Sequence, residues 1–132
     1  MLALSVRQPW AWAIVAGHKN IENRSWSTTH RGPLLIHAGQ TMSNEDLERI
    51  EEYADALGFK APRPDALLRG GIIGAVDVVD VVKAHASPWF KGPEGWILQN
   101  ARRLPFRPLQ GQQRLFHVPG FVRASGRAEL SP

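Results

Sequence analysis

The order of apolar and polar positions divides the chain into short segments. Leu2 to Val6 is a brief apolar run that predicts a first strand. It leads into Gln8-Pro9-Trp10, where Pro9 fits the first turn of a helix because its missing N–H would be unpaired there in any case. This helix is expected to reach about Ala16, with Gly17 as a left-handed cap. From Ile21 to Trp26 the period is two, which puts Glu22, Arg24 and Trp26 on one face of a strand. A polar turn over 27–32 separates it from Pro33 to Ala38, expected to be a second strand paired with it.

The clearest helical period runs from Asn44 to Leu57. Ser43 can cap it, Asp46 sits at its third position and Gly58 ends it. Leu47, Ile50, Ala54 and Leu57 form the apolar stripe; Glu45, Glu48, Glu51 and Glu52 face solvent rather than a metal. Pro62 and Pro64 mark a loop. The stretch Gly70 to Lys83 is long and rich in β-branched residues, with Asp77 and Asp80 near an expected bend or bulge. A loop of Pro and Gly follows at 87–93, then short strands near Trp96–Gln99 and Leu115–Val118, and a loose tail from Ala124. Two helices in the first half, several short strands and many turns predict an α+β domain built on a small, mostly antiparallel barrel.

Composition narrows the chemistry. The chain has 132 residues, one domain's worth, and no cysteine, so disulfides, thiolate metal sites and thiol nucleophiles are excluded. No glycine-rich nucleotide cradle occurs, and His18, His30, His37, His85 and His117 lack metal-ligand spacing, so neither a metal nor another cofactor is expected. His37 is placed to reach a cleft or to sit satisfied at a barrel end. No apolar run is long enough to span a bilayer and no leader pattern opens the chain, which predicts a soluble, cytoplasmic protein with no membrane partner.

Charge is uneven. Residues 1–66 carry seven basic and eight acidic side chains, whereas residues 67–132 carry nine and four. No acid lies between Gln99 and Arg127, a stretch holding Arg102, Arg103, Arg107, Arg114, Arg123 and Arg127. Arginine forks suit phosphates, so this half predicts a polyanionic partner, with a solubilising face as the alternative. Five tryptophans add stacking surfaces for bases.

Residues 4–39 carry a resemblance. The Gln8-Pro9-Trp10-Ala11 helix start, then Gly17, Lys19, Glu22 and Arg24 in a G-x-K-x-x-E-x-R pattern, then Trp26 and the His30-Arg31-Gly32 turn, are similar to the opening of the activating signal cointegrator homology (ASCH) domain, a module related to the PUA β-barrel. Phe90 to Leu104 resembles a later stretch of bacterial and phage relatives, so the likeness takes in most of one domain spanning residues 1–132. It implies a barrel with a cleft between the first helix and the sheet, in a superfamily tied to RNA, DNA and modified bases. Some members bind nucleic acid without known chemistry; others remove an acyl group from a modified cytidine or cleave RNA.

On that basis the expected function is an RNA- or DNA-binding module that holds a nucleotide or phosphate in a cationic, tryptophan-lined cleft. The expected contacts are Gln8, Trp10, Arg24, Trp26, Arg31, Trp89, Lys91, Asn100, Arg102 and Arg103. Trp89, in a Pro/Gly loop beside Lys91, is expected to be an exposed platform; Arg24 is expected either to touch a ligand or to pair with Glu22 or Asp77. The alternative is a metal-independent hydrolase of a modified nucleoside, or a ribonuclease, using Lys19 and Glu22. In the deacylating relatives a threonine nucleophile stands three residues after the equivalent lysine; Glu22 stands there in this chain, leaving activation of a water as its route. A protein partner is conceivable at the acidic face of the 44–57 helix, though nothing specific marks one.

Overall fold

Hydrophobic alternation becomes a two-faced sheet. A computed structural model describes residues 1–124 and 127–130, with side chains through Gly120. Its elements are β1 (Leu2–Val6), α1 (Trp10–Val15), β2 (Ile21–Arg24), β3 (Gly32–Ala38), α2 (Asn44–Leu57), a 3-10 turn at Pro64–Ala66, β4 (Gly71–Val82), β5 (Glu94–Pro108), β6 (Leu115–His117), β7 (Phe121–Ala124) and β8 (Arg127–Leu130). Six strands form one curled, mixed sheet in the order β2-β5-β4-β3-β1-β6, a half-barrel; β7 and β8 pair separately. The fold is α+β and PUA-like. The expected loose tail from Ala124 lies outside the residues whose side chains are described.

Along β1 and β3 the alternation sorts the core. Leu4, Val6, Leu34, Ile36 and Ala38 point to the face covered by α1, where they meet Ile14, Val76, Val78 and Trp96. Ala3 and Leu35 point to the other face and pack with Ile72, Ala75, Phe116 and Val118. A third cluster, of Ala13, Ile21, Ile50 and Trp89, ties α1 to α2 and to the loop before β5. This cluster fixes the walls of the site described below.

Both predicted helix ends hold. Ser43 Oγ accepts from the Asp46 N–H at 3.1 Å. Gly17 and Gly58 adopt φ of +85° and +80°, which side chains with a Cβ avoid. Leu57, by contrast, leaves the stripe and is exposed at the end of α2.

Two strand expectations are corrected. β3 does not pair with β2: it lies parallel to β1, Ala3 opposite Leu35, and antiparallel to β4. β2 pairs with β5 instead, Glu22 opposite Trp96. β5 is not a short strand at 96–99 but runs for 15 residues, through Pro105. Its ladder with β4 shifts register at three places, two of them around Asp77 and Asp80 as the sequence predicts. These bulges let one long pair bend with the barrel wall, a shape that hydrophobic alternation alone does not encode.

Candidate functional site

A cleft of about 1130 Å³ opens where β1, β2, the start of α1, α2 and the loop before β5 converge. Its floor is polar. Lys19 and Glu22 are both buried, and Lys19 Nζ donates to Glu22 Oε1 at 3.3 Å and to the backbone carbonyl of Ile21. The alternation on β2 brings Arg24 back onto Glu22: Nε donates to Oε2 at 2.9 Å and Nη2 lies 2.7 Å from the same oxygen. Nη2 also donates to the Ser5 carbonyl at 2.8 Å, which joins β2 to β1 across the floor. One carboxylate thus sits between two cations.

Burial lowers the Lys19 pKa from its ordinary value of 10.5, and the adjoining Glu22 charge opposes that shift without cancelling it. Both oxygens of Glu22 are engaged by its two cationic partners, which fixes the carboxylate in place on the floor. The Arg24 bonds run through Nε and Nη2, and among the described residues none uses Nη1.

The walls are aromatic. Trp89 stacks on Tyr53 with ring centroids 4.1 Å apart and planes 15° from parallel. Trp10 meets both edge-on, at 5.9 Å from Tyr53 and 6.4 Å from Trp89. Trp26 packs edge-on against buried Trp96 at 4.9 Å. Two cations sit on these rings: Lys91 Nζ, in the cleft lining, lies 5.9 Å from the centre of Tyr53, and the Arg114 guanidinium, outside the lining itself, lies 4.4 Å from Trp26. Toward α2 the lining includes Arg7, paired with buried Asp46 at 3.4 Å, Arg49, paired with Glu45 at 2.6 Å, and Glu52.

The loop bearing Trp89 and Lys91 is held by a residue the sequence pattern does not single out. Asn23 Oδ1 accepts from the Lys91 and Gly92 N–H groups at 2.7 and 3.0 Å, and its Nδ2 donates to the Trp89 carbonyl at 3.0 Å. A single amide therefore satisfies three backbone groups of the wall.

Of the residues expected at the site, Trp10, Lys19, Glu22, Arg24, Trp26, Trp89 and Lys91 line this one cleft. Trp89 is not the exposed platform expected of it: only 4% of its surface is accessible, because Tyr53 and Trp10 cover it. Gln8 is buried as well and does not line the cleft. Its Oε1 accepts from the Trp12 N–H and its Nε2 donates to the Leu68 carbonyl, both at 2.9 Å, so it caps α1 and tethers a loop.

Asn100, Arg102 and Arg103 lie on β5 away from the cleft. Arg102 pairs with Asp77 at 3.2 Å, and Asn100 donates to the same carboxylate at 3.1 Å. Arg31 turns back on the Thr28 and His30 carbonyls, beside Asp80. His37 is a satisfied barrel histidine, with Nδ1 2.9 Å from Ser5 Oγ and Nε2 2.6 Å from the Leu109 carbonyl.

Tyr53 and Asn23 line the cleft without having been expected there, and Arg114 reaches one of its rings, Trp26. Tyr53 sits three residues past Ile50 on the helix face turned to the cleft, and helical spacing is the signal that could find it. Arg114 depends on a chain reversal that no local pattern signals. Among the described residues, no group of three or more His, Asp or Glu could hold a metal, and no helix is long and apolar enough to cross a membrane.

The model of the ASCH domain matches residues 4–114. Activating signal cointegrator 1 of Homo sapiens is 38% identical over 138 aligned positions, covering 96% of this chain, and its Mus musculus counterpart is 38% identical over 79, covering 58%. The chain spans 24% of the length of the human protein. The crystal structure of ASCH from Zymomonas mobilis superposes with a TM-score of 0.54 at 17% identity, covering 89% of this chain and 86% of that one. A single-residue variant of that bacterial protein gives a TM-score of 0.53. At that identity the likeness concerns the fold alone. On the family match and the human relative together, this chain belongs to the ASCH domain family.

Proposed function

We propose that the chain is a nucleic-acid-binding domain that holds a nucleotide of RNA or DNA in the cleft between α1, α2 and β2. The observation that carries this reading is the meeting of an arginine with spare donors and four aromatic rings in one open cavity. Arg24 Nη1 offers N–H groups to a phosphate, while exposed Lys91 adds charge that concentrates a polyanion at the mouth; Arg49 is already paired with Glu45 at 2.6 Å. Trp10, Trp26, Tyr53 and Trp89 provide apolar walls against which a base is shielded from water. Family membership supports the same reading.

The test is fluorescence anisotropy with labelled single-stranded RNA and DNA at rising salt. Affinity should fall linearly on logarithmic axes, and Arg24→Ala and Lys91→Ala should each weaken it by about five- to tenfold. Salt-independent binding, or unchanged affinity in both variants, would remove the site from this cleft.

One observation favours a second reading. A buried lysine with a lowered pKa can relay a proton, and Lys19 is such a group at the cleft floor. On this reading the domain hydrolyses an acylated nucleoside or an RNA phosphodiester. Incubation with N-acylated cytidine and with labelled RNA should yield product that Lys19→Met abolishes. If neither substrate is consumed at high protein concentration, only the binding reading stands.

A further inference from the structure

We propose that Arg114 is a phosphate anchor at the rim of the cleft, and that the cleft takes a strand of linked nucleotides rather than a free nucleoside. This rests on the nucleic-acid reading above and names the ligand's form.

Arg114 is exposed, and its guanidinium lies over the Trp26 ring at 4.4 Å. Stacking occupies the faces of a guanidinium but leaves its N–H groups free, because they lie in its plane. Among the described residues, no hydrogen bond or ion pair uses those groups. The side chain is thus a pre-oriented set of donors with part of its rotamer freedom already lost.

Its backbone is equally committed. Arg114 has φ of +58°, a left-handed conformation that residues with a Cβ seldom adopt. The segment before it is pinned at Leu109, whose carbonyl accepts from His37 and whose N–H donates to Gly70. The residue after it, Leu115, enters the ladder with β1 opposite Leu4. Both flanks therefore hold Arg114 where Trp26 can receive it.

A second cation-on-ring pair stands on another wall: Lys91 lies over Tyr53, on α2 and the loop before β5. A nucleoside carries no phosphate for either cation, and a mononucleotide carries a single phosphate for the two of them. A strand can place successive phosphates on both while a base enters between. The cavity, at about 1130 Å³, lies near the upper end of the 300–1,000 Å³ range for small-molecule pockets and is open to solvent, so a strand can continue past its mouth.

The experiment measures anisotropy with labelled uridine and thymidine oligomers of one, two, four and eight nucleotides, against wild type, R114A, R114K and R63A. Wild-type affinity should rise at least tenfold from the mononucleotide to the tetranucleotide. R114A should bind the tetranucleotide about fivefold more weakly, and its salt slope should fall by about 0.7, the single-strand value for one phosphate contact. R114K should keep the slope but lose about two- to threefold in affinity, since an ammonium lacks the planar stack. R63A, remote from the cleft, should match wild type. If R114A melts early, R114K carries the test. Equal tetranucleotide affinity and slope in wild type and R114A overturn the anchor, and equal mononucleotide and tetranucleotide affinity overturns the strand. Failure of wild type to bind any oligomer would instead sink the nucleic-acid reading itself.

Discussion

Glu22 and Arg24 stand two residues apart on β2 and meet twice, with Nε and Nη2 of the guanidinium both on Oε2 at 2.9 and 2.7 Å. Strand alternation puts the two side chains on one face, and the opposite oxygen of Glu22 takes Lys19. The spacing of Lys19, Glu22 and Arg24 in the sequence is therefore the spacing needed to seat one carboxylate between two cations. That arrangement makes Glu22 a structural counter-ion as well as part of the cleft floor.

Glu22→Gln tests this role. The amide can satisfy one partner with its oxygen, but it turns N–H groups toward a cation and leaves two charges on the floor without compensation. Breaking a buried pair costs about 3 kcal/mol, or roughly 10 °C in melting temperature for a chain of this size. Thermal unfolding followed by circular dichroism measures it. A variant melting within a degree or two of wild type would show that Glu22 is not holding Lys19 and Arg24.

Lys19 makes stability depend on pH in the alkaline range. Its pKa is lowered in the folded chain, mainly by burial, and returns to 10.5 on unfolding. Between those two values the unfolded chain binds the extra proton, so stability rises with pH across the window and levels off above 10.5. Urea midpoints at several pH values from 7 to 11 should show this rise in wild type and a flatter profile in Lys19→Met. Identical slopes in the two proteins would contradict it.

Much of the fold and half of the site can be read from residue patterns, for identifiable reasons. α2 is correct from cap to cap because Ser43, its apolar stripe and Gly58 are all local signals. Lys19, Glu22, Arg24 and Trp26 can be grouped because one helix exit and one strand carry them all. The pairing of β3 is not legible because β1 lies next to it, parallel, across an intervening helix and strand, and no turn geometry announces such a neighbour. Trp89 misleads because its loop composition suggests exposure, whereas its burial depends on Tyr53, 36 positions earlier in the chain.

Asn23 should matter more to the cleft than its exposure implies. Asn23→Ala removes three hydrogen bonds to the loop at 89–92, each worth about 1 kcal/mol, and frees the wall bearing Trp89 and Lys91. We expect a loss of about 2–3 kcal/mol in stability, with nucleic-acid affinity falling further than stability alone explains. Asn23→Asp keeps both acceptor contacts and sets a carboxylate against the Trp89 carbonyl, so it should fall between wild type and Asn23→Ala. Hydrogen exchange at the Lys91 and Gly92 amides gives the direct readout. Protection unchanged in Asn23→Ala would refute the clamp.

Tyr53 separates ring from hydroxyl. Its ring stacks on Trp89 and receives the edge of Trp10, whereas its hydroxyl makes only a long, exposed contact of 3.4 Å with the Pro88 carbonyl. Tyr53→Phe keeps the stack and should leave stability within about 0.5 kcal/mol of wild type, with nucleic-acid affinity unchanged. Tyr53→Ala removes the ring from under Lys91 and opens one side of Trp89 to water, at a cost of about 2–3 kcal/mol. Affinity should then fall at least fivefold, because the wall loses both its apolar surface and the seat of its rim cation. Chemical denaturation and anisotropy on the same three proteins distinguish the cases. If Tyr53→Phe loses affinity as severely as Tyr53→Ala, the hydroxyl rather than the stacked ring meets the ligand.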